Sequence, residues 1–512
     1  MGQQSRVKGI AISYVATAVR TLIKLCLTPL YLKILGLDEY GFYEYVFSIA
    51  SYVVVLDFGI TAVINAFAIK YKEKGDQKGV ENVMFYTFAF STVSAIIIAI
   101  FGAVIIIGAP QIFGDAVAGR ITLTRELLVL MISELIMLMF QHFFEGVILA
   151  AEKYVTSRAV DLVQIVGRCT ITILLLYSKV GVMSIALGDF FGVGCCLLFE
   201  IIYCKKVLNL KIKFHYKDNK LLRGIAKLAT ALCLQSLISF LNSSIDKYIL
   251  GRKLDTVSVT IYTLALTFSM FYDEIATVIQ RLYLPQVVKL VARKADGEEL
   301  TSFVIGPGRY QLIFCGGILG GFILFGREFL SMWSGEETTQ AWTIALLLMA
   351  PSLLPLIQNV CLSILTAMNK RMFRSYVLGA MALANLLLTV ILVDQFGLMG
   401  APIGTCISLV LGNNIAMNLY YKKKIGINVF RLFRSILKGI FPCAVVTTVV
   451  CIPLNFISYV GILPFATKCL AFCLVYAALL WFFGLNTLEK ERISAVVHAR
   501  IGKKKHKEEP AE

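Results

Sequence analysis

Runs of about 20 mainly apolar residues, long enough to cross a bilayer as a helix, recur fourteen times along the chain. They lie near 10–35, 42–69, 81–108, 126–150, 157–178, 181–204, 224–250, 257–284, 309–326, 341–367, 373–393, 398–421, 439–457 and 462–484. Short polar breaks separate them. The pattern predicts an all-α polytopic membrane protein with about fourteen transmembrane helices, numbered here as spans 1–14. Span 1 does not read as a cleavable signal: it is too long, carries Arg20 and Lys24, and precedes no A-x-A-like site. The opening MGQQSR places Arg6 where a myristoylation signal requires Ser or Thr.

Composition agrees. Only 16% of the 512 residues are charged, against about a quarter in soluble domains. Hydrophobic residues make up 58% and the mean hydropathy is +0.78. Soluble cores stop growing at about 250–300 residues, so a secreted disulfide scaffold, a disordered chain and a two-domain soluble enzyme are all excluded. The thirteen Cys lie mostly inside apolar runs and none forms a C-x-x-C pair, so they read as small buried hydrophobes.

The net charge of +17 would suggest nucleic acid on a soluble protein, but here the cations sit in short breaks. Alternate breaks, with both ends of the chain, hold 35 Lys and Arg, and the opposite set holds seven. The positive-inside bias predicts both termini in the cytoplasm, with 485–512 a basic cytoplasmic tail.

An internal repeat divides the chain. With an offset of 216 residues, ILAAEKYVTSR at 148–158 falls on ILTAMNKRMFR at 364–374, and VGVMSIALG falls on FGLMGAPIG. Upstream, Ile34-Leu35-Gly36 matches Ile249-Leu250-Gly251, Leu37-Asp38 matches Leu254-Asp255, and Tyr45 matches Tyr262. The expected organisation is an N-lobe at 1–210 (spans 1–6), a C-lobe at 211–425 (spans 7–12) and extra spans 13–14 at 426–484. Six spans per copy make the repeats parallel, two lobes around a central cavity. No Walker A sequence occurs, so ATP is not expected to drive the cycle directly.

Ionisable groups inside spans are functional candidates, since each costs about 2.5–3.5 kcal/mol to insert. Arg20 and Lys24 are four residues apart and share a helical face, extended by Thr28 and Tyr31. The matching stripe in span 7 is Gln235, Ser239, Asn242 and Asp246. These faces predict a cavity lined by cations of the first lobe, an anion site. Asp57, with Thr61 and Asn65, falls on Glu274, and Arg281 follows Glu274 on its own face. Asp161 and Arg168 in span 5 read as a self-satisfied structural pair. Glu134, Gln141, His142 and Glu145 in span 4 form a possible proton or cation site, and Asp189 and Glu200 in span 6 read as packing or interfacial residues. Gly316-Gly317 with Gly320-Gly321 marks helix packing, and Pro351 with Pro355 a kinked, polar helix. No catalytic or metal-ligating set appears, and no cofactor is implied.

Several stretches are similar to the polysaccharide-exporter, or oligosaccharide flippase, branch of the multidrug/oligosaccharidyl-lipid/polysaccharide flippase superfamily. They are TPLYLKILGLDEYGFYEYVFSI at 28–49, LDFGI at 56–60, DKYILGRKLDTVSVTIYTLAL at 246–266, the Pro of RLYLPQ at 281–286, and FGLMGAPIG at 396–404. The resemblance covers spans 1–12. It implies movement of an undecaprenyl-pyrophosphate-linked sugar across the bacterial cytoplasmic membrane, or drug export against Na⁺ or H⁺. It also implies that Arg20, Lys24 and Arg281 hold the lipid pyrophosphate. The chain departs from the peptidoglycan-precursor branch in that span 2 has no Arg or Lys before Lys70.

The resulting expectation is a monomeric, non-enzymatic flippase for surface polysaccharide or cell-wall synthesis. Its partners are a lipid-linked oligosaccharide and membrane lipids, with Na⁺ or H⁺ as the candidate coupling ion and no nucleic acid. The pyrophosphate head group would be bound by Arg20, Lys24 and Arg281, with Asp57, Gln235, Asn242, Asp246 and Glu274 as cavity or coupling residues. A cation-coupled drug exporter of the same fold would favour an acidic or apolar cavity. A membrane glycosyltransferase or polymerase would need a larger outer loop than 109–125 or 327–340.

Overall fold

In the computed structural model, described for residues 2–53, 59–370, 372–456, 461–487, 489–491 and 494, the chain is nearly all helix. In chain order the helices are α1 Gly2–Val53, α2 Ile60–Glu73, α3 Gln77–Ile107, α4 Ala109–Phe113, α5 Ile121–Ala150, α6 Tyr154–Tyr177, α7 Met183–Lys206, α8 Asn219–Lys253 and α9 Thr256–Ala292. They continue as α10 Gly297–Ser334, α11 Gln340–Ile357, α12 Val360–Ala367, α13 Met372–Phe396, α14 Gly400–Leu409, α15 Met417–Tyr420, α16 Val429–Leu437, α17 Ile440–Val450 and α18 Ile462–Leu479. Helix is what a bilayer selects, because each segment must satisfy its own backbone.

Every one of the fourteen apolar stretches carries helix. Among the described residues, however, ten helices are long and apolar enough to cross a membrane, or eleven if a bent pair at Val429–Leu437 and Ile440–Phe456 counts as one. Met372–Ile425 runs as one continuous element through two of the stretches. The second stretch is shared between the end of α1 and the short α2, on either side of residues 54–58. Within α1, Gly36 breaks the helix at φ 84°, a backbone conformation that glycine adopts without a Cβ penalty.

Two compact units emerge: residues 1–263 with 382–404, and residues 264–381 with 405–512. They are cut differently from the sequence halves at 1–210 and 211–425, which describe repeat symmetry. In unit 1, α5 packs against α2, α3 and α7, α6 against α7, and α1 against α6 and α8. One hydrophobic core joins Ile64, Val83, Phe143, Phe144, Cys204 and Ile225. Val93, Ile96, Ile100, Val104 and Ile107 leave an exposed apolar stripe on α3, as a lipid-facing helix requires. The chain is a multi-pass membrane protein.

In unit 2, α10 is the organising helix, packed by α11, α16, α17 and α18. Its glycine face is a packing face, as its small residues predict: a Cβ on Gly317 would lie 2.6 Å from the Tyr476 ring, and one on Gly320 would lie 2.7 Å from Thr448 Oγ1. Two ion pairs tie C-terminal segments to α10, the Arg309 pair buried on both sides and the Lys468 pair on one. Lys468 reaches both oxygens of Glu328 at 2.9 and 3.0 Å. Arg309 donates to Glu489 through Nε at 2.6 Å and Nη2 at 2.9 Å, and also to the carbonyls of Ser435, Lys438 and Gly484. Removing one partner of such a pair costs about 3–5 kcal/mol. Pro351 and Pro355 both lie within α11. Pro355 has no N–H to offer the Pro351 carbonyl, and Asn414 Nδ2 donates to that carbonyl at 3.2 Å. All thirteen cysteines are free; Cys26, Cys195 and Cys473 are exposed, not buried as expected.

Candidate functional site

The two copies of the repeat signature meet inside unit 1. Thr256 Oγ1 donates to the Asp38 carboxylate, which also pairs with Arg120. Thr260 Oγ1 donates to the Leu37 carbonyl at 2.7 Å. Glycine permits this approach on both copies: a Cβ on Gly41 would lie 1.8 Å from the Thr256 carbonyl oxygen, and one on Gly251 would lie 2.3 Å from the Tyr45 ring. Burial pushes the Asp38 carboxyl up, but the hydrogen bonds from Thr256 and Arg120 outweigh it and hold the group below its usual range. A depressed carboxyl stabilises the seam fully above about pH 4, and loses that contribution as pH falls through its folded value.

Beside this seam, Lys247 Nζ pairs with Glu44 at 2.7 Å, both largely buried, and the Tyr40 hydroxyl donates to Glu44 at 3.2 Å. The charge of Lys24 acts on the same carboxylate. Ser51 and Ser244 touch through their hydroxyls at 3.4 Å. Sequence reasoning missed Glu44 and Lys247; both fall within stretches quoted for the family resemblance, but no spacing rule joins positions 203 residues apart.

Asp246 is the most enclosed of the candidates. Its carboxylate accepts the Tyr262 hydroxyl at 2.6 Å, Asn385 Nδ2 at 3.1 and 3.3 Å, and the Thr389 hydroxyl at 3.0 Å. All four residues are buried. Asn385 and Thr389 are one turn apart on α13, so they present a single polar face, and Tyr262 is the repeat mate of Tyr45. Asn385 and Thr389 stand out as an i, i+4 polar pair in an apolar run, a signal that was legible. Three donors on Asp246 stabilise it as a carboxylate.

The other candidates distribute as follows. Arg20 and Lys24 are exposed on α1, whereas Thr28 and Tyr31 further along the stripe are buried. Gln235 is exposed on α8. Asn242 lies on α8, but its side chain is outside the described set, and Asp57 lies outside the described residues altogether. Glu274, half-buried, and Arg281, exposed, are both on α9 but belong to unit 2, unlike the rest.

Span 5 corrects the expected Asp161–Arg168 pair. Arg158 takes Asp161 at 2.5 Å, and Arg168 pairs through Nε with Asp189 of α7. Seven residues on a helix separate Asp161 and Arg168 by about 10 Å of rise, while α7 lies directly against Arg168. Asp189 is therefore an ion-pair residue and not mere packing. In span 4, Gln141 donates to Gln164 at 2.8 Å, and Glu145 accepts the Ser157 hydroxyl at 3.4 Å. No group of three His, Cys, Asp or Glu among the described residues is arranged to hold a metal ion.

The fold is that of the flippases and transporters of the MOP superfamily. The structure titled Lipid II flippase MurJ, inward closed conformation, is similar with a TM-score of 0.73 at 15% identity, covering 92% of this chain and 98% of that one. An inward-facing multidrug resistance MATE family transporter of the MOP superfamily gives 0.69 at 12% identity, covering 82% and 98%. An outward-facing one gives 0.55 at 13%, covering 80% and 95%. At such identities the likeness concerns the fold. The polysaccharide biosynthesis protein family matches residues 6–291, more than half of the sequence, and the chain belongs to that family. No curated protein matches it.

Proposed function

We propose that this protein moves a lipid-linked oligosaccharide of the undecaprenyl-pyrophosphate type across the bacterial cytoplasmic membrane by alternating access. The observation that carries the reading is the exposed Arg20–Lys24 face of α1, two cations one turn apart and the only charged residues between positions 10 and 32. A pyrophosphate leaving water needs such partners, because an unpaired charge in low dielectric is costly. Arg20 and Lys24 are its proposed holders. The family and the flippase-type fold support this reading, and the lobes at 1–210 and 211–425 are its proposed moving parts.

Orientation is part of the proposal: both termini face the cytoplasm. In a Cys-depleted background, a cysteine at 217 should be protected from an impermeant reagent added outside, and one at 118 should be labelled. Labelling at 217 from outside would reverse the topology.

Asp246 is the proposed coupling acid, taking Na⁺ or H⁺. In proteoliposomes carrying a fluorescent undecaprenyl-pyrophosphate-linked sugar, the wild type should translocate the lipid, and an imposed Na⁺ or proton gradient should accelerate it. Asp246→Asn should lose that acceleration and about 10-fold in rate, the size of one charge-assisted network bond of about 1.5–3 kcal/mol. Translocation of cationic drugs in place of the lipid would replace this reading with a drug exporter.

A further inference from the structure

Arg168 is a further cation inside an apolar helix, and its surroundings give it a direction. It lies mid-way along α6, where Gly188 and Gly192 of α7 let the two helices close. A Cβ on Gly188 would lie 3.2 Å from the Arg168 carbonyl oxygen, and one on Gly192 would lie 3.1 Å from the Arg168 Cβ. That approach sets Asp189 against Arg168 Nε. Asp189 is in turn held by the Tyr43 hydroxyl at 3.3 Å. The acid is 9% accessible and the arginine side chain 48%, so the pair is anchored at its root and open at its tip.

The nitrogen nearest the acid is Nε. The terminal Nη1 and Nη2 carry four of the five guanidinium N–H donors, in a fork that matches a carboxylate or phosphate. Tyr31 and Tyr43 on α1 and Glu134 on α5 lie within electrostatic reach of the guanidinium. The arginine tip is open, and polar groups of two other helices lie within its electrostatic reach, an arrangement a ligand's anion could use.

Tyr31 ends the stripe that begins with Arg20 and Lys24. Seven residues separate Lys24 from Tyr31, about 10 Å along the helix. A pyrophosphate held at Lys24 is shorter than that, so Arg168 is placed for a second anionic group on the same ligand. We propose that Arg168, positioned by Asp189 and Tyr43, binds an acidic group on the glycan of the transported lipid, a sugar carboxylate or phosphate. The inference rests on the lipid-linked oligosaccharide reading and sharpens it: the cargo is an acidic glycan.

The test measures binding to the full chain in nanodiscs, using two probes: undecaprenyl-pyrophosphate-linked N-acetylglucosamine, and the same lipid extended by glucuronic acid. The wild type should bind the acidic probe about tenfold more tightly, one decade of affinity. Arg168→Gln combined with Asp189→Asn removes both charges without stranding the acid. It should bind the two probes equally, with affinity for the neutral probe within about twofold of wild type. Arg168→Lys, which keeps charge but not the fork, should keep a reduced preference, and it decides the matter if the double variant does not fold. Equal binding of both probes by the wild type, or a full tenfold preference surviving in either variant, overturns the role of Arg168. Wild type that binds neither probe sinks the lipid-linked reading itself.

Discussion

Replacing Arg20 and Lys24 together with alanine is expected to abolish polysaccharide export while leaving the protein inserted in the membrane. Each charge-assisted contact to a pyrophosphate is worth about 1.5–3 kcal/mol, so losing two lowers flux by about 100-fold or more. Both side chains are exposed, so no buried packing is lost with Arg20, and helix α1 gains two residues of good propensity. Arg20→Lys should retain part of the activity, because charge survives without the bidentate fork. Surface polysaccharide, measured alongside membrane levels of the variant, decides the matter. Full export by the double variant would eliminate the anion face.

The second large effect concerns the seam. Ser51 of the first repeat and Ser244 of the second are buried with their hydroxyls 3.4 Å apart, and serine to cysteine changes volume little. In a background lacking the thirteen native cysteines, Ser51→Cys with Ser244→Cys should cross-link under mild oxidation. Joining the repeats there should stop flipping almost completely, and reduction should restore it. The single variants should be unaffected by oxidant. Undiminished flipping by the cross-linked protein would show that the repeats need not part at this seam, and alternating access about it would be wrong. The surrounding contacts explain why the seam is a sensible place to arrest motion. Lys247–Glu44, Asp38–Arg120 and the hydroxyls of Thr256 and Thr260 join chain segments roughly 80 to 220 residues apart within one small region.

Much of this molecule was legible in one dimension. Apolar runs located helix in every expected stretch, because a helix satisfies its backbone within its own segment and a bilayer tolerates little else. The Gly316–Gly321 face was also readable, since steric size is a property of the residue itself. Repeat matches marked Tyr262, Gly41's neighbourhood and Gly251, although not what they touch. The partners of charged groups were not readable in this way. Arg168 shares a helix face with Asp161 yet pairs with Asp189, because two glycines bring α7 closer than any residue two turns away. Asp246 meets Asn385 and Thr389 across about 140 residues, and Lys24 comes within reach of Glu44 only because α1 turns at Gly36. Periodicity says which side of a helix is polar. Which helix that side faces depends on packing among elements distant in sequence, and no local pattern encodes it.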